Sequence, residues 1–159
     1  MRTRIPTVQR VIKVTDMILA MPDLTVPQGP TAELVEPDPE GRTAVLDLVS
    51  AEHRDFFQYY GSPAPSTYVM AVREDDQLVG AVLLAHEPAA RESDSDAALA
   101  ALVIASQHRG RGLASAAIGQ AVRKLEAAGF SRVIAEWVWS VDAYARLGFK
   151  VWRTRTVNR

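Results

Sequence analysis

The sequence contains no cysteine, which excludes disulfide bonds, thiolate metal ligands and a cysteine nucleophile. Its three histidines, His53, His86 and His108, lie far apart and show none of the close spacings typical of a zinc site. We therefore expect no bound metal. A long apolar run is also missing, because the most apolar N-terminal stretch carries Lys13 and Asp16. That stretch is too short and polar to span a membrane, so we expect a cytoplasmic protein with no membrane partner.

An excess of one charge is missing as well. The 18 lysine and arginine residues nearly balance the 19 aspartate and glutamate residues, and the formal net charge is −1. Both signs are interspersed along the chain, so no large basic face for nucleic acid is predicted. What is present is an ordinary globular composition of 159 residues with 48% hydrophobic and 23% charged residues, enough for a domain with its own core.

Two parts of the chain differ in character. Residues 1–30 are interpreted as an N-terminal extension, either a short helix or an extended arm, which ends in closely spaced prolines and a glycine. We expect this extension to pack against the domain or to form a dimer contact, so a homodimer stays open. Residues 31–159 are interpreted as a single domain.

The apolar periodicities of residues 31–157 predict elements in the order β–α–β–β–β–α–β–α–β. The predicted strands are 31–36, 67–73, 78–86, 97–104, 132–137 and 150–157, the predicted helices are 39–57, 113–128 and 140–147, and residues 59–65 are expected to form a loop. A helix that connects two strands of one sheet makes a crossover over its face. The fold class is therefore α/β (α+β), with a central mixed β-sheet flanked by helices on both faces.

Residues 102–114 combine an apolar strand, a turn with two glycines and the start of a long helix. Glycine lets the backbone approach a ligand closely, and the first N–H groups of a helix are unpaired and carry its positive dipole end. Arg109 and Arg111 add positive charge at the same place. The pattern is typical of a phosphate-binding turn, and a simple tight turn is the alternative. It lacks both the Gly-Lys-Ser/Thr of a P-loop and the third glycine of a Rossmann fingerprint.

Within this segment, Arg109-x-x-Gly112-x-Ala114 resembles the pyrophosphate loop of the GNAT superfamily of N-acetyltransferases, whose pattern is Q/R-x-x-G-x-G/A. Residues 78–80 are similar to the third strand of that family. Residues 144–149 are similar to its Y-x-x-L-G-F ending. The resemblance covers residues 31–157, in the right order and spacing, and implies a GNAT-like fold.

The resemblance implies acetyl-CoA as the acyl donor and co-substrate. In this family the fourth and fifth strands splay apart, and the pantetheine arm of the cofactor lies between them. The residues implied to contact the cofactor through their backbone groups are Leu102, Val103 and Ile104 on the strand and Arg109, Gly110, Arg111, Gly112, Leu113 and Ala114 in the turn.

Tyr144 stands where the family's tyrosine reaches the cofactor sulfur, so the resemblance implies a cofactor contact and a general acid for the departing thiolate. A phenol pKa of about 10 suits a group that stays protonated at neutral pH. The sequence departs from the family seven residues earlier, where Trp137 replaces an asparagine that bonds the pantetheine. This replacement indicates a site with its own shape.

Transfer to an amine also requires a group that accepts a proton from the nitrogen. The candidate bases are Glu136, beside the cofactor gap, and His86, Glu87, Glu52 and His53, with an ordered water as a rival.

Acceptor pockets are largely apolar with a few polar groups. The candidate acceptor-binding residues are Tyr59, Tyr60, His86 and Trp137, followed by Tyr68 and Trp139. Arg153 and Arg155 alternate on the last strand and suit an anionic acceptor, although an exposed strand face explains them equally well.

The predicted function is an acyl-CoA-dependent N-acyltransferase reaction in which a primary amine attacks acetyl-CoA directly. The acceptor, a small molecule or a peptide, is not identified by the sequence. The alternative is a CoA-binding protein with a sensor or assembly role and no turnover. Acetylation of charged tRNA is disfavoured by the balanced charge, because binding of nucleic acid requires a basic surface.

Overall fold

Seven strands form one mixed sheet. The structure is a computed structural model that describes residues 11–158. The strands are β1 (Val11–Ala20), β2 (Glu33–Val35), β3 (Thr67–Glu74), β4 (Gln77–Ala85), β5 (Asp96–Ile104), β6 (Arg132–Val138) and β7 (Lys150–Asn158). The helices are α1 (Pro39–Glu52), α2 (Phe57–Gly61), α3 (Leu113–Ala127) and α4 (Val141–Arg146). The strand order is β2-β3-β4-β5-β6-β1-β7, in which only β5 and β6 are parallel neighbours.

Strand β1 lies inside the sheet. It pairs antiparallel with β6 on one side and with β7 on the other, and Val14, Met17 and Leu19 are buried. Residues 11–20 of the expected N-terminal extension are thus an integral strand, extended rather than helical, while residues 1–10 lie outside the described residues. The sequence pattern could not show this pairing, because both partner strands are more than a hundred residues further along the chain.

Helices cover both faces of the sheet, as predicted. Val45 of α1 and Tyr60 of α2 pack in one hydrophobic cluster with Val69 and Ala71 of β3. Alternate side chains of a strand point to opposite faces, and the intervening Met70 packs in a second cluster on the other side. That second cluster is covered by α3 and α4. The strands are therefore buried from both sides.

The α1 region differs from the prediction. The sequence predicts a single helix over residues 39–57, but α1 ends at Glu52, where His53 leaves the helical conformation with φ −150° and ψ 82°. A short 3₁₀ turn, Arg54–Phe56, then leads into α2. The expected loop over residues 59–65 is wrong at its start, since Tyr59 and Tyr60 are helical. The other predicted elements have the predicted type, with small shifts at their ends.

The described helices include none that is both long enough and apolar enough to cross a membrane.

Candidate functional site

Strands β5 and β6 separate at a defined point. They pair only as far as Ala100 and Glu136. The next residue on each strand, Ala101 and Trp137, has φ of 53°, a left-handed conformation that costs a residue other than glycine about 1–3 kcal/mol. Beyond this point residues 101–104 keep only β4 as a strand neighbour. We call the space between residues 101–104 and the end of β6 the wedge.

Two buried side chains bond the backbone of the kinked residues. The hydroxyl of Tyr60 donates a hydrogen bond of 2.5 Å to the carbonyl of Ala101. The N–H of Trp137 donates one of 2.9 Å to the carboxylate of Asp16. Tyr60 and Asp16 are both completely buried. Because each kink has a buried partner, the surrounding structure stabilises the separation of the strands.

Replacing Tyr60 with phenylalanine is expected to lower the free energy of unfolding by about 1–3 kcal/mol, because the buried carbonyl of Ala101 loses its hydrogen bond. Urea unfolding measures this change. Tyr59→Phe is the matched control, since Tyr59 is the neighbouring tyrosine and 42% exposed. Equal stability of the two variants would contradict a role for Tyr60 in stabilising the kink.

The turn after β5 presents the start of α3 at the open end of the wedge. Gly110 and Gly112 have φ of 79° and 84°, and Gly112 is the N-cap of α3, with its carbonyl accepting from the N–H of Ala116. The N–H groups of Leu113 and Ala114 have no partner within the helix, as at any helix start. This geometry suits an anion bound by backbone N–H groups.

The two arginines of the turn are paired with carboxylates. Arg109 donates to the carbonyl of Ile104 at 2.8 Å and contacts Glu52 at 3.3 Å. Arg111 contacts Glu74 at 2.6 Å. Half-exposed pairs of this kind contribute little to stability, but they offset the positive charge that the sequence suggested. Backbone N–H groups are therefore the main anion donors that the turn offers.

Tyr144 is buried on α4. Its ring packs edge-on against Phe149, with ring centroids 5.3 Å apart. Burial raises the pKa of the Tyr144 phenol far above its ordinary value, so the phenol stays protonated through the neutral range. Burial, and second the nearby Tyr144, also raise the pKa of Tyr60. Tyr60 and Tyr144 belong to the clusters on opposite faces of the sheet.

A cavity of about 440 Å³ opens beside the kinks. Both kinked residues, Ala101 and Trp137, contribute to its wall, together with Tyr59 of α2. Most of the remaining lining is small and apolar, and it comprises Ala64, Pro65, Leu83, Ala85, Pro88, Ala89 and Ala90. The charged lining residues are Glu87, Glu136, Arg153 and Arg155. An apolar pocket with a few charged groups is the usual form of a small-molecule site.

The carboxyl group of Glu136 is half-buried in this lining. Burial and the negative charge of Asp16 raise the pKa of Glu136, and the charges of Arg155 and Arg153 oppose this shift. A carboxyl group with a raised pKa accepts a proton more readily than an ordinary glutamate does. Glu136 therefore has a suitable environment for a base at the point where β5 and β6 separate.

Beneath the cavity, Asp16 joins the last strand to the first. Its Oδ2 accepts hydrogen bonds from the Nε of Arg153 at 2.7 Å and of Arg155 at 2.8 Å. Burial opposes ionisation, but the hydrogen bonds from Arg155, from the N–H of Trp137 and from Arg153 outweigh it and lower the pKa of Asp16. Sequence reasoning missed Asp16. Its one available signal was an acidic residue inside an apolar run.

The structure brings six of the predicted candidates together in the cavity wall, namely Tyr59, Glu87, Glu136, Trp137, Arg153 and Arg155. Tyr60 lies in the core behind that wall, and its hydroxyl is hydrogen-bonded to the carbonyl of Ala101, which lines the cavity. His86 is not brought to the cavity, because its ring packs beside Tyr68 and Phe130, at centroid distances of 4.8 and 5.0 Å.

Of the remaining candidate bases, Glu52 and His53 do not line the cavity, and Glu87 lies at its edge. Glu52 contacts Arg109, and the ring of His53 stacks on Phe56 at 3.8 Å. Glu87 lines the cavity, exposed, and accepts a hydrogen bond from Ser66. Within residues 11–158, no three acidic or histidine side chains are placed to hold a metal ion.

A family model described as the acetyltransferase (GNAT) family matches residues 32–149. The chain belongs to the GNAT acetyltransferase family. The match spans α1 to α4, with the turn at Gly112 and the strands β5 and β6 inside it. No curated protein matches the chain.

Solved structures share the GNAT fold. A GCN5-related glucosamine N-acetyltransferase region in a fungal multi-domain GH3 β-N-acetylglucosaminidase has a TM-score of 0.77 and 18% identity, over 95% of this chain and 21% of that one. A GCN5-related N-acetyltransferase from Kribbella flavida has a TM-score of 0.64 and 20% identity, over 92% of this chain and 57% of that one. This chain is thus much shorter than both relatives.

A GNAT family acetyltransferase from Brucella melitensis, solved in complex with acetyl-CoA, is closer in length. Its TM-score is 0.60 at 16% identity, over 80% of this chain and 87% of that one. At these identities the likeness concerns the GNAT fold.

Proposed function

We propose that the protein transfers an acetyl group from acetyl-CoA to the primary amine of an acceptor bound in the cavity. The observation that carries this proposal is the separation of β5 from β6 after Ala100 and Glu136. The separated ends adjoin a turn suited to phosphate, a buried tyrosine and a cavity with a half-buried carboxyl group. Family membership supports acyl transfer in general, and the Brucella melitensis complex supports acetyl-CoA as the donor.

The residues present fit acetyl-CoA. Backbone N–H groups from Gly110 to Ala114 suit the pyrophosphate, whereas the N–H of Arg109 donates to the carbonyl of Ser106. The glycines at 110 and 112 keep side chains out of the way of the pyrophosphate. Residues 101–104 have a strand neighbour on one side only, so their other edge can pair with an extended chain of amides, as a sheet edge pairs with a peptide. The pantetheine arm is such a chain.

Acetyl-CoA supplies a thioester whose carbonyl carbon accepts the amine. An amine with a pKa of about 10 is protonated at neutral pH and must lose a proton before it attacks. Glu136, directly or through a water, takes that proton. The C–N bond then forms and the C–S bond breaks. Tyr144 donates its phenolic proton to the departing sulfur and regains one from the nitrogen of the new amide, so the products are the acetylated amine and free CoA.

The proposal is tested by measuring CoA release from acetyl-CoA with a panel of primary amines. Because the chain has no cysteine, a thiol reagent detects the released CoA without background from the protein. We expect turnover with at least one amine and a loss of about 100-fold in kcat for Glu136→Gln. Glu126→Gln, exposed on α3 and outside the cavity lining, is the matched control and should keep its activity.

The pH dependence separates a base from a merely structural carboxylate. With Glu136 as the base, kcat/KM falls as the pH drops through its raised pKa, because protonation removes the acceptor form, and Glu136→Gln loses this dependence. Binding of acetyl-CoA without CoA release for any amine would contradict the enzyme proposal and favour a sensor role.

A further inference from the structure

Two arginines are fixed in the cavity wall before any ligand binds. Arg153 and Arg155 are alternate residues of β7, so their side chains share one face of the strand. Each directs its Nε to Asp16, which is completely buried. Side chains held in this way lose less conformational freedom when they bind a ligand.

The outer nitrogens of both guanidinium groups remain available. Among residues 11–158, the terminal nitrogens of Arg153 make no hydrogen bond, and those of Arg155 make a single long contact of 3.4 Å with Asp16. The side chains are 40% and 36% exposed, and both line the cavity. A guanidinium has five N–H donors in a planar fork, which suits a carboxylate.

The cavity also presents the opposite charge. Glu136 lines the same space, and the charges of Arg155 and Arg153 act on its pKa, so the three groups lie near one another. Near Arg153 and Arg155 an acceptor meets positive charge, and near Glu136 it meets negative charge. A molecule with both an ammonium and an anionic group is complementary to this arrangement, because its ammonium can face Glu136 and its anionic group can face the two arginines.

We propose that the acceptor is a small amino carboxylate, whose carboxylate is bound by Arg153 and Arg155 while its amine faces Glu136. This inference rests on the proposed function and specifies its substrate class. The cavity volume of about 440 Å³ lies within the usual range for small ligands. The apolar walls formed by Leu83, Ala85 and Pro88 favour an uncharged remainder of the molecule.

The test compares matched amines with and without a carboxylate. Leucine is paired with isoamylamine and 4-aminobutyrate with propylamine, with phosphoethanolamine as a phosphate-bearing amine, and CoA release gives kcat/KM for each. We expect the amino carboxylates to exceed their partners by about 10- to 100-fold, the range expected for charge-assisted hydrogen bonds. Arg153→Gln and Arg155→Gln should each reduce this preference, with acetyl-CoA binding and Tm reporting on the fold. Arg123→Gln, exposed on α3, is the control and should retain it.

Calorimetry with the same compounds gives a readout that does not depend on turnover. Binding of leucine that exceeds binding of isoamylamine, and is weakened in both cavity variants, supports the inference even without CoA release. Equal kcat/KM for the members of each pair overturns it while the proposed function stands, and equal binding overturns it whether or not CoA is released. A preference that survives in folded Arg153→Gln and Arg155→Gln also overturns it, as does a preference for phosphoethanolamine alone.

Discussion

Gly112→Trp is expected to abolish acetyl-CoA binding in a protein that still folds. Gly112 is the N-cap of α3, directly before the unpaired N–H groups of the helix start. A Cβ at this position would lie 3.4 Å from the Cδ of Pro30, an ordinary contact, and we expect the bulky indole beyond it to block the turn. The φ of 84° also adds a strain of about 1–2 kcal/mol for a residue with a side chain.

Gly129→Trp separates this blocking effect from the strain. Gly129 follows the other end of α3, has φ of 100°, and has open space within 4 Å of the position that a Cβ would take. Both variants therefore carry the left-handed strain, but only one lies at the proposed site. Calorimetry with acetyl-CoA and thermal unfolding are measured for each. Undiminished binding in Gly112→Trp would mean that the segment is only a turn, and loss in both variants would assign the effect to strain.

Tyr144→Phe is expected to lower kcat and kcat/KM together by about 100-fold, within the range for loss of a general acid. A parallel fall in the two constants indicates an interaction made in the transition state. The substitution removes only the phenolic O–H, and the ring can keep its edge-on packing against Phe149. The affinity for acetyl-CoA should change little.

Because burial raises the pKa of Tyr144, we expect no loss of kcat from ionisation of its phenol near neutral pH. Burial keeps the phenol protonated well above neutral pH, so the proton donor is present throughout the range in which the amine is assayed. Tyr68→Phe is the control, because Tyr68 is 41% exposed and outside the cavity. A Tyr144→Phe protein with unchanged kcat and normal acetyl-CoA binding would leave Tyr144 with a packing role alone.

Features that depend on residues close together in the chain can be predicted from the sequence. The turn at Gly112 and the start of α3 are contiguous in the chain, so their glycines and their apolar stripe appear together in the sequence. The stripe of Ile118, Ala121, Val122 and Leu125 predicts α3 almost to its ends. Glu136 and Trp137 are found because they lie on a strand whose place beside the cofactor gap follows from the family resemblance.

Contacts between residues far apart in the chain could not be predicted from the sequence. Asp16 and its partners Arg153 and Arg155 are 137 and 139 residues apart, and Tyr60 lies 41 residues before Ala101. Periodicity reports which face of an element is buried, but it does not report which element covers that face or in which register. For the same reason the sequence alone assigns β1 to an extension and Tyr60 to the acceptor pocket.

The sequence by itself determined the order of the elements from β2 onward except for the separate helix α2, and it also determined the family and the turn before α3, because each depends on neighbouring residues. Only the tertiary structure decided the place of β1 between β6 and β7, the kinks at Ala101 and Trp137, and the charged groups that share the cavity. These features depend on strand pairing and on buried polar partners, which form only when distant parts of the chain meet.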